Sequence, residues 1–107
     1  MTTPATAKTG REVDNLRQLA LRMGGLAENI LDKSLRAVWS RNIEVADEVA
    51  TDDIEIDRID VEIDTVVLSV LALHAPVAAD LRQTLAIKTM ATDLERVGDL
   101  SRNIASC

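Results

Sequence analysis

Residues 45–73 read VADEVATDDIEIDRIDVEIDTVVLSVLAL, and the spacing of their apolar residues indicates the architecture of the chain. Four aliphatic residues in it lie seven positions apart: Val49, Ile56, Ile63 and Val70. A second series fills most of the alternate positions: Val45, Ile59, Val66 and Leu73. An apolar repeat of 3.5 residues sustained over this length is typical of a helix in a bundle and too long for a strand. Asn42 is a suitable N-cap, with Glu44 in the first turn, so the predicted helix runs from Asn42 to about His74.

A first helix is predicted from about Val13 to Arg41, where apolar residues recur every three to four positions. These residues are Leu16, Leu19, Ala20, Met23, Leu26, Ala27, Ile30, Leu31, Leu35 and Val38. Gly24 and Gly25 interrupt the pattern, and they indicate either a kink or close packing of a neighbouring helix.

A third helix is predicted from about Val77 to Ala105, because Pro76 breaks the second helix and suits the start of the next. Its apolar face is formed by Ile87, Met90, Ala91, Leu94, Val97, Gly98 and Ile104. Three helices of roughly 30 residues, each about 45 Å long, predict an all-α fold, an elongated antiparallel up-down-up three-helix bundle. We expect residues 1–10 to form a flexible tail and residues 11–107 to form a single domain.

Composition excludes several classes of function. The formal charge of −6, from 18 acidic against 12 basic side chains, argues against binding nucleic acid or anionic lipid. The most apolar run, 66–79, contains Ser69, His74 and Pro76 and is too short for membrane insertion. The single cysteine, Cys107, allows no internal disulfide. We therefore expect a cytoplasmic protein.

Carboxylates are the candidate chemical groups. The second helix carries four at spacings of four, three and four: Asp53, Asp57, Asp60 and Asp64. At 100° per residue they form a stripe about 60° wide that borders the apolar face. The third helix repeats the spacing with Glu95 and Asp99. If the two helices are neighbours, these six residues converge on a site for hard cations. A solvated acidic face is the alternative interpretation.

Features of an enzyme are missing from the sequence. The only histidine, His74, is far from the acids, and the helical serines Ser34, Ser69 and Ser101 have no histidine partner. We therefore expect no catalytic activity, and a carboxylate-bridged hydrolase or oxidase is the disfavoured alternative.

Four segments resemble one family in the same order along the chain. Residues 93–105, DLERVGDLSRNIA, are similar to the signature of the PhoU family of phosphate-uptake regulators. Residues 75–82, APVAADLR, resemble the family's turn between the second and third helices. Residues 52–57, DDIEID, resemble its acidic motif in the second helix. Residues 23–28, MGGLAE, resemble part of its first helix. The resemblance covers about Arg11–Ala105.

The resemblance implies a three-helix repeat and metal clusters held by Glu/Asp-x-x-x-Asp motifs. Asp53 with Asp57 and Glu95 with Asp99 match these motifs, whereas Asp60 with Asp64 fits the spacing alone. Iron, zinc, magnesium or manganese would be the metal. The resemblance also implies a regulator that links the phosphate ABC transporter ATPase to a sensor histidine kinase and represses the phosphate-starvation response. Arg82, Arg96 and Arg102 are candidates for a docking surface.

The chain departs from the family in length, because the family carries two tandem repeats and this chain has one. It is either half of a two-repeat parent or a single-repeat homologue, and the heptad positions favour a homodimer that replaces the second repeat. The alternative function is a metal-free structural helical interaction module.

Overall fold

The computed structural model describes residues 4–73 and 78–106. This part of the chain forms three helices, α1 (Pro4–Ser40), α2 (Ile43–Leu73) and α3 (Ala78–Ala105). They pack against one another in a bundle of 58 × 18 × 17 Å. The predicted all-α, elongated three-helix bundle is therefore confirmed.

Contacts between side chains give the helix directions. The end of α1 pairs with the start of α2 through Lys33 and Asp52, at 2.8 Å. Near the other end of the bundle, Ser69 Oγ donates to Glu12 Oε1 at 3.0 Å, so α1 and α2 are antiparallel. Early residues of α1 and α3 meet where Arg17 Nε donates to Gln83 Oε1 at 3.0 Å, so these two helices run in the same direction. The order is up-down-up, as predicted.

The connection between α1 and α2 is short because two residues complete it. Arg41 adopts the left-handed conformation, with φ 53°, and reverses the chain after α1. Asn42 then caps α2, since its Oδ1 accepts from the backbone N–H of Glu44 at 3.0 Å and of Val45 at 3.4 Å. The predicted N-cap is confirmed. The residues predicted for the second connection, His74, Pro76 and Val77, lie outside the described residues, as does Cys107.

The core follows the heptads of α2. Val49, Ile56, Ile63 and Val70 are all fully buried, and they pack with α1 residues that include Leu16, Met23 and Ile30. Helix α3 contributes fewer buried residues to this cluster, chiefly Ile87 and Ala91. None of the helices, over the residues described, has an apolar stretch long enough to cross a bilayer.

Several expectations about the helices were wrong. Helix α1 begins at Pro4 instead of Val13, and Thr9 of this added segment is buried. Near the other end of α1, Leu35 and Val38 are exposed, because the buried face passes through Ser34 and Ala37.

Two further expectations concerned single positions on α1 and α3. Met90 is 48% exposed instead of part of the core. No neighbouring helix packs closely on Gly24 or Gly25, since a Cβ at either position would meet no atom within 4 Å.

Candidate metal centre

The heptads of α2 determine where its carboxylates lie. Asp53 and Asp60 each lie four residues from a fully buried aliphatic residue, Val49 and Ile56 respectively. Burying the heptad face therefore brings the acidic stripe to the edge of α2 that meets α3. Because α2 and α3 are antiparallel, successive turns of the stripe face successive turns of α3 in reverse order.

Three carboxylates converge at this edge. Asp53, Asp57 and Asp99 each place one carboxylate oxygen within 4.8 Å of the other two. Asp53 is buried and Asp57 is exposed, so the cluster extends from the interior to the surface. We call these three residues the acidic cluster.

Asp53 is the buried member, with a relative exposure of 1%. Arg102 Nη1 lies 3.1 Å from Asp53 Oδ2 and forms an ion pair with it. Neither carboxylate oxygen of Asp53 has a hydrogen-bond partner among the described residues. A buried carboxylate in this state is costly unless another cation or donor satisfies it.

Gly98 allows α3 to approach Asp53. A Cβ at position 98 would lie 2.7 Å from Asp53 Oδ1 and 3.4 Å from Ile56 Cδ1. Since real Cβ atoms essentially never come within 3.0 Å of another atom, a larger residue at position 98 would displace the Asp53 carboxylate. The glycine that precedes Asp99 is therefore part of the cluster's geometry.

The pKa values of Asp53 and Asp57 reflect burial first and the charges of neighbouring carboxylates second. Burial and the charge of Asp57 raise the pKa of Asp53, although Arg102 opposes them. Burial and the charge of Asp99 raise the pKa of Asp57. Both shifts mean that burial and nearby negative charge disfavour the ionised form of each carboxyl group in the folded chain.

Glu95 lies about one turn of α3 from the cluster and faces Asp60. A hydrogen bond shared with Asp60, together with burial and the charges of Asp60, Asp57 and Asp99, raises the pKa of Glu95 to about 7. Asp60 Oδ1 is itself buried without a hydrogen-bond partner among the described residues. Glu95 and Asp60 thus form a second carboxylate pair beside the cluster.

Lys88 closes the acidic stripe at its far end. Its ammonium group forms an ion pair with Asp64 and lies 3.8 Å from Asp60 Oδ1. The hydrogen bond to Asp64 raises the pKa of Lys88. Of the six residues predicted as metal ligands, the structure thus brings together Asp53, Asp57 and Asp99, places Glu95 and Asp60 next to them, and pairs Asp64 with a lysine.

The acidic cluster fits a hard cation. Its donors are all carboxylate oxygens, which suit magnesium, manganese and iron better than zinc. The two buried oxygens of Asp53 without hydrogen-bond partners are the atoms that a cation would satisfy. A metal ion bound there would supply positive charge that cancels the repulsion between α2 and α3.

Sequence reasoning missed Lys88 and the role of Arg102. Lys88 lies seven residues before Glu95, which is a signal that both share one face of α3. Arg102 was considered a docking residue, but in the structure it faces Asp53. Arg96 lies 3.5 Å from Asp93 on the surface of the same helix.

Comparison with known proteins agrees with the resemblance to the PhoU family. The family model for the PhoU domain matches residues 20–107. The chain is 35% identical over 98 residues to the phosphate-specific transport system accessory protein PhoU homolog of Aquifex aeolicus, covering 92% of this chain and 44% of that protein.

Two further curated relatives show the same pattern. The homolog from Zymomonas mobilis is 37% identical, covering 88% of this chain and 40% of that protein. The phosphate-specific transport system accessory protein PhoU of Serratia marcescens is 34% identical, covering 87% of this chain and 38% of that protein. The chain therefore spans less than half the length of these relatives. The helical bundle, the acidic stripe and these matches together show that the chain belongs to the PhoU domain family.

Proposed function

We propose that this chain is a cytoplasmic regulator of phosphate uptake that acts by protein contact and binds a metal ion at the acidic cluster. Its curated relatives are named as accessory proteins of the phosphate-specific transport system, which supports a role beside that transporter. The single structural observation behind the metal site is the approach of Asp53, Asp57 and Asp99 to within 4.8 Å. No catalytic step belongs to this proposal.

The bound metal would act on helix packing. Without it, burial and the charges of neighbouring carboxylates raise the pKa values of Asp53 and Asp57, and the charge of Asp99 acts on both across the interface between α2 and α3. With it, the carboxylates would become ligands, and the two helices would be held at a fixed separation. The metal thus stiffens the surface that partners contact, and iron, zinc, magnesium and manganese are the ions to compare.

The metal site is tested by calorimetric titration, in which each of the four ions is added in turn to protein from which a chelator has removed bound metal. We expect the Asp53→Asn, Asp57→Asn and Asp99→Asn variants to lose affinity by about tenfold or more. Asp47→Asn is the matched control, since Asp47 is an exposed acid of the same helix outside the cluster. Equal affinity for metal in all four variants would mean that these acids form only a solvated surface. It would favour the metal-free structural module.

The partners proposed are the phosphate transporter ATPase and a sensor histidine kinase, whose starvation response the chain would repress. This function is tested in cells that lack their own regulator of this family and carry a phosphate-starvation reporter. We expect the chain to lower reporter output in high phosphate and to be captured with both partners. A reporter that stays fully on, in cells where the chain is folded and abundant, would contradict the regulatory role.

A homodimer is the proposed assembly. An open apolar groove between α1 and α3 supports it, lined by Leu21, Gly24, Gly25, Met90 and Leu94 among others. Sedimentation equilibrium at micromolar concentration tests the assembly, with Leu21→Gln as the variant expected to weaken the dimer. A wild-type protein that sediments as a monomer would remove the proposal.

A further inference from the structure

Helix α2 has a second apolar face that no part of the described structure covers. Four large aliphatic residues form it, each 64% to 78% exposed: Ile43, Ile54, Val61 and Leu68. We call these four residues the outer stripe. At 100° per residue the stripe lies about 150° around the helix from the buried heptads. Exposed aliphatic residues that repeat along one line of a helix are the pattern by which a helix packs against another helix.

The outer stripe has the dimensions of a helix-binding surface. From Ile43 to Leu68 it extends about 37 Å along α2, at 1.5 Å per residue. Ile54, Val61 and Leu68 follow each other at intervals of seven residues, which is the spacing that packs against another helix. The occupant is therefore a helix, not an extended peptide.

Charge determines which helix would fit. Helix α2 carries ten carboxylates and one base, Arg58, whereas α1 and α3 together carry eight carboxylates and ten bases. Along the α1 side of the outer stripe, Glu44, Asp47 and Glu62 are exposed. None of these three forms an ion pair within the described part of the chain. On the other side lie Asp57 and Asp64.

We infer that the outer stripe docks an amphipathic helix of a partner protein whose apolar face is flanked by lysine and arginine. This inference rests on the adaptor role proposed above and names the chemistry of the partner. A second copy of α2 fits poorly, because two such faces would bring twenty carboxylates together with two arginines. An anionic lipid surface is disfavoured for the same reason.

The test uses a labelled 21-residue peptide with leucine at heptad positions a and d and lysine at e and g, measured by fluorescence anisotropy. The control peptide has glutamate in place of every lysine. The protein variant combines Ile54→Gln, Val61→Gln and Leu68→Gln. Its matched control combines Leu35→Gln, Leu85→Gln and Leu100→Gln, which removes three leucines of α1 and α3 that are 49% to 57% exposed. All samples contain chelator, and circular dichroism checks that each variant is helical.

We expect the lysine peptide to bind at least about tenfold more tightly than the glutamate peptide, and less tightly as salt rises. The α2 variant should lose about tenfold or more in affinity, while the matched control stays within about twofold. A further variant with Glu44→Gln, Asp47→Asn and Glu62→Gln should bind more weakly and with less dependence on salt.

Five results would overturn the inference. The first is a lysine peptide that does not bind, and the second is an equal loss of affinity in the α2 variant and its control. The others are tighter binding of the glutamate peptide, a dimer that the α2 variant dissolves, and sedimentation of the chain with anionic vesicles. The peptide titrations contain chelator, so their result does not depend on a bound metal ion. If the lysine peptide binds but calorimetry detects no affinity for metal, only the metal centre is refuted. If the wild-type protein binds metal but does not bind the lysine peptide, only the docking surface is refuted.

Discussion

Asp53 of α2 and Gly98 of α3 are in such close contact that a single added carbon on residue 98 would stand 2.7 Å from Asp53 Oδ1. The buried carboxylate therefore occupies the space that a side chain on α3 would fill. This contact sets the distance between the two helices at the acidic cluster.

We expect Gly98→Ala to destabilise the protein. Overpacking costs about 1–3 kcal/mol, and the better helix propensity of alanine offsets up to about 1 kcal/mol. Where the propensity gain is complete, the net loss in the free energy of unfolding, measured in urea titrations, should be up to about 2 kcal/mol. Gly24→Ala is the matched control, because its Cβ meets no atom within 4 Å. It should stabilise the protein by up to about 1 kcal/mol, and a loss there would contradict the packing described.

Asp57→Asn should change stability in opposite directions with and without metal. In chelator the substitution removes repulsion from Asp99, so the free energy of unfolding should rise by a few tenths of a kcal/mol, about 0.3–0.5. At metal concentrations near 100 times the dissociation constant, the wild type gains about 2.7 kcal/mol and the variant loses most of that gain. Thermal melts in both buffers measure this. A variant less stable than the wild type in chelator would show that repulsion is not the dominant effect.

The metal-free protein should become less stable as the pH rises from about 5 to about 7. The pKa of Glu95 is raised from 4.5 to about 7 in the folded state, so in this window the folded protein binds more protons than the unfolded chain. The free energy of unfolding then falls with pH and levels off above about pH 7. Urea titrations across this range test it, and Glu95→Gln should flatten the dependence. Stability that increased over the same range would contradict the assignment.

Arg102→Gln should raise the affinity of the acidic cluster for metal. The guanidinium group lies 3.1 Å from Asp53 Oδ2 and supplies positive charge that competes with a bound cation. Calorimetric titration should show a several-fold gain in affinity, together with lower stability in chelator. Arg96→Gln is the control, since Arg96 is near Asp93 and outside the cluster. An unchanged affinity in both variants would mean that Arg102 and the metal do not share a site.

The periodicity of the sequence was sufficient to predict the architecture. Val49, Ile56, Ile63 and Val70 were expected on one face, and all four are fully buried. The same periodicity placed Asp53 and Asp57 at the edge of that face, and Asn42 was recognisable as a cap from its type and position. These features follow from local geometry, which the order of residues contains.

Other features depended on the distance and rotation between helices, which no single helix determines. Leu35 and Met90 satisfy the apolar spacing of their helices, but both lie beyond the contact with neighbours and are exposed. The close contact was at Gly98 instead of Gly24 and Gly25, because only Gly98 faces a side chain of another helix. The pairing of Lys88 with Asp64 likewise depends on the register between α2 and α3.

Within the described part of the chain, all candidate ligands belong to α2 and α3, and α1 contributes none. A bound cation would therefore stabilise the contact between α2 and α3. Helix α1 would still be held only by its aliphatic contacts and a few surface ion pairs. Local opening should then begin with α1. In metal-loaded protein, amide hydrogens of α1 should exchange with deuterium faster than those in the middle of α2 and α3, and removing the metal should narrow this difference. Uniform protection across the three helices would show that the chain opens only as a whole.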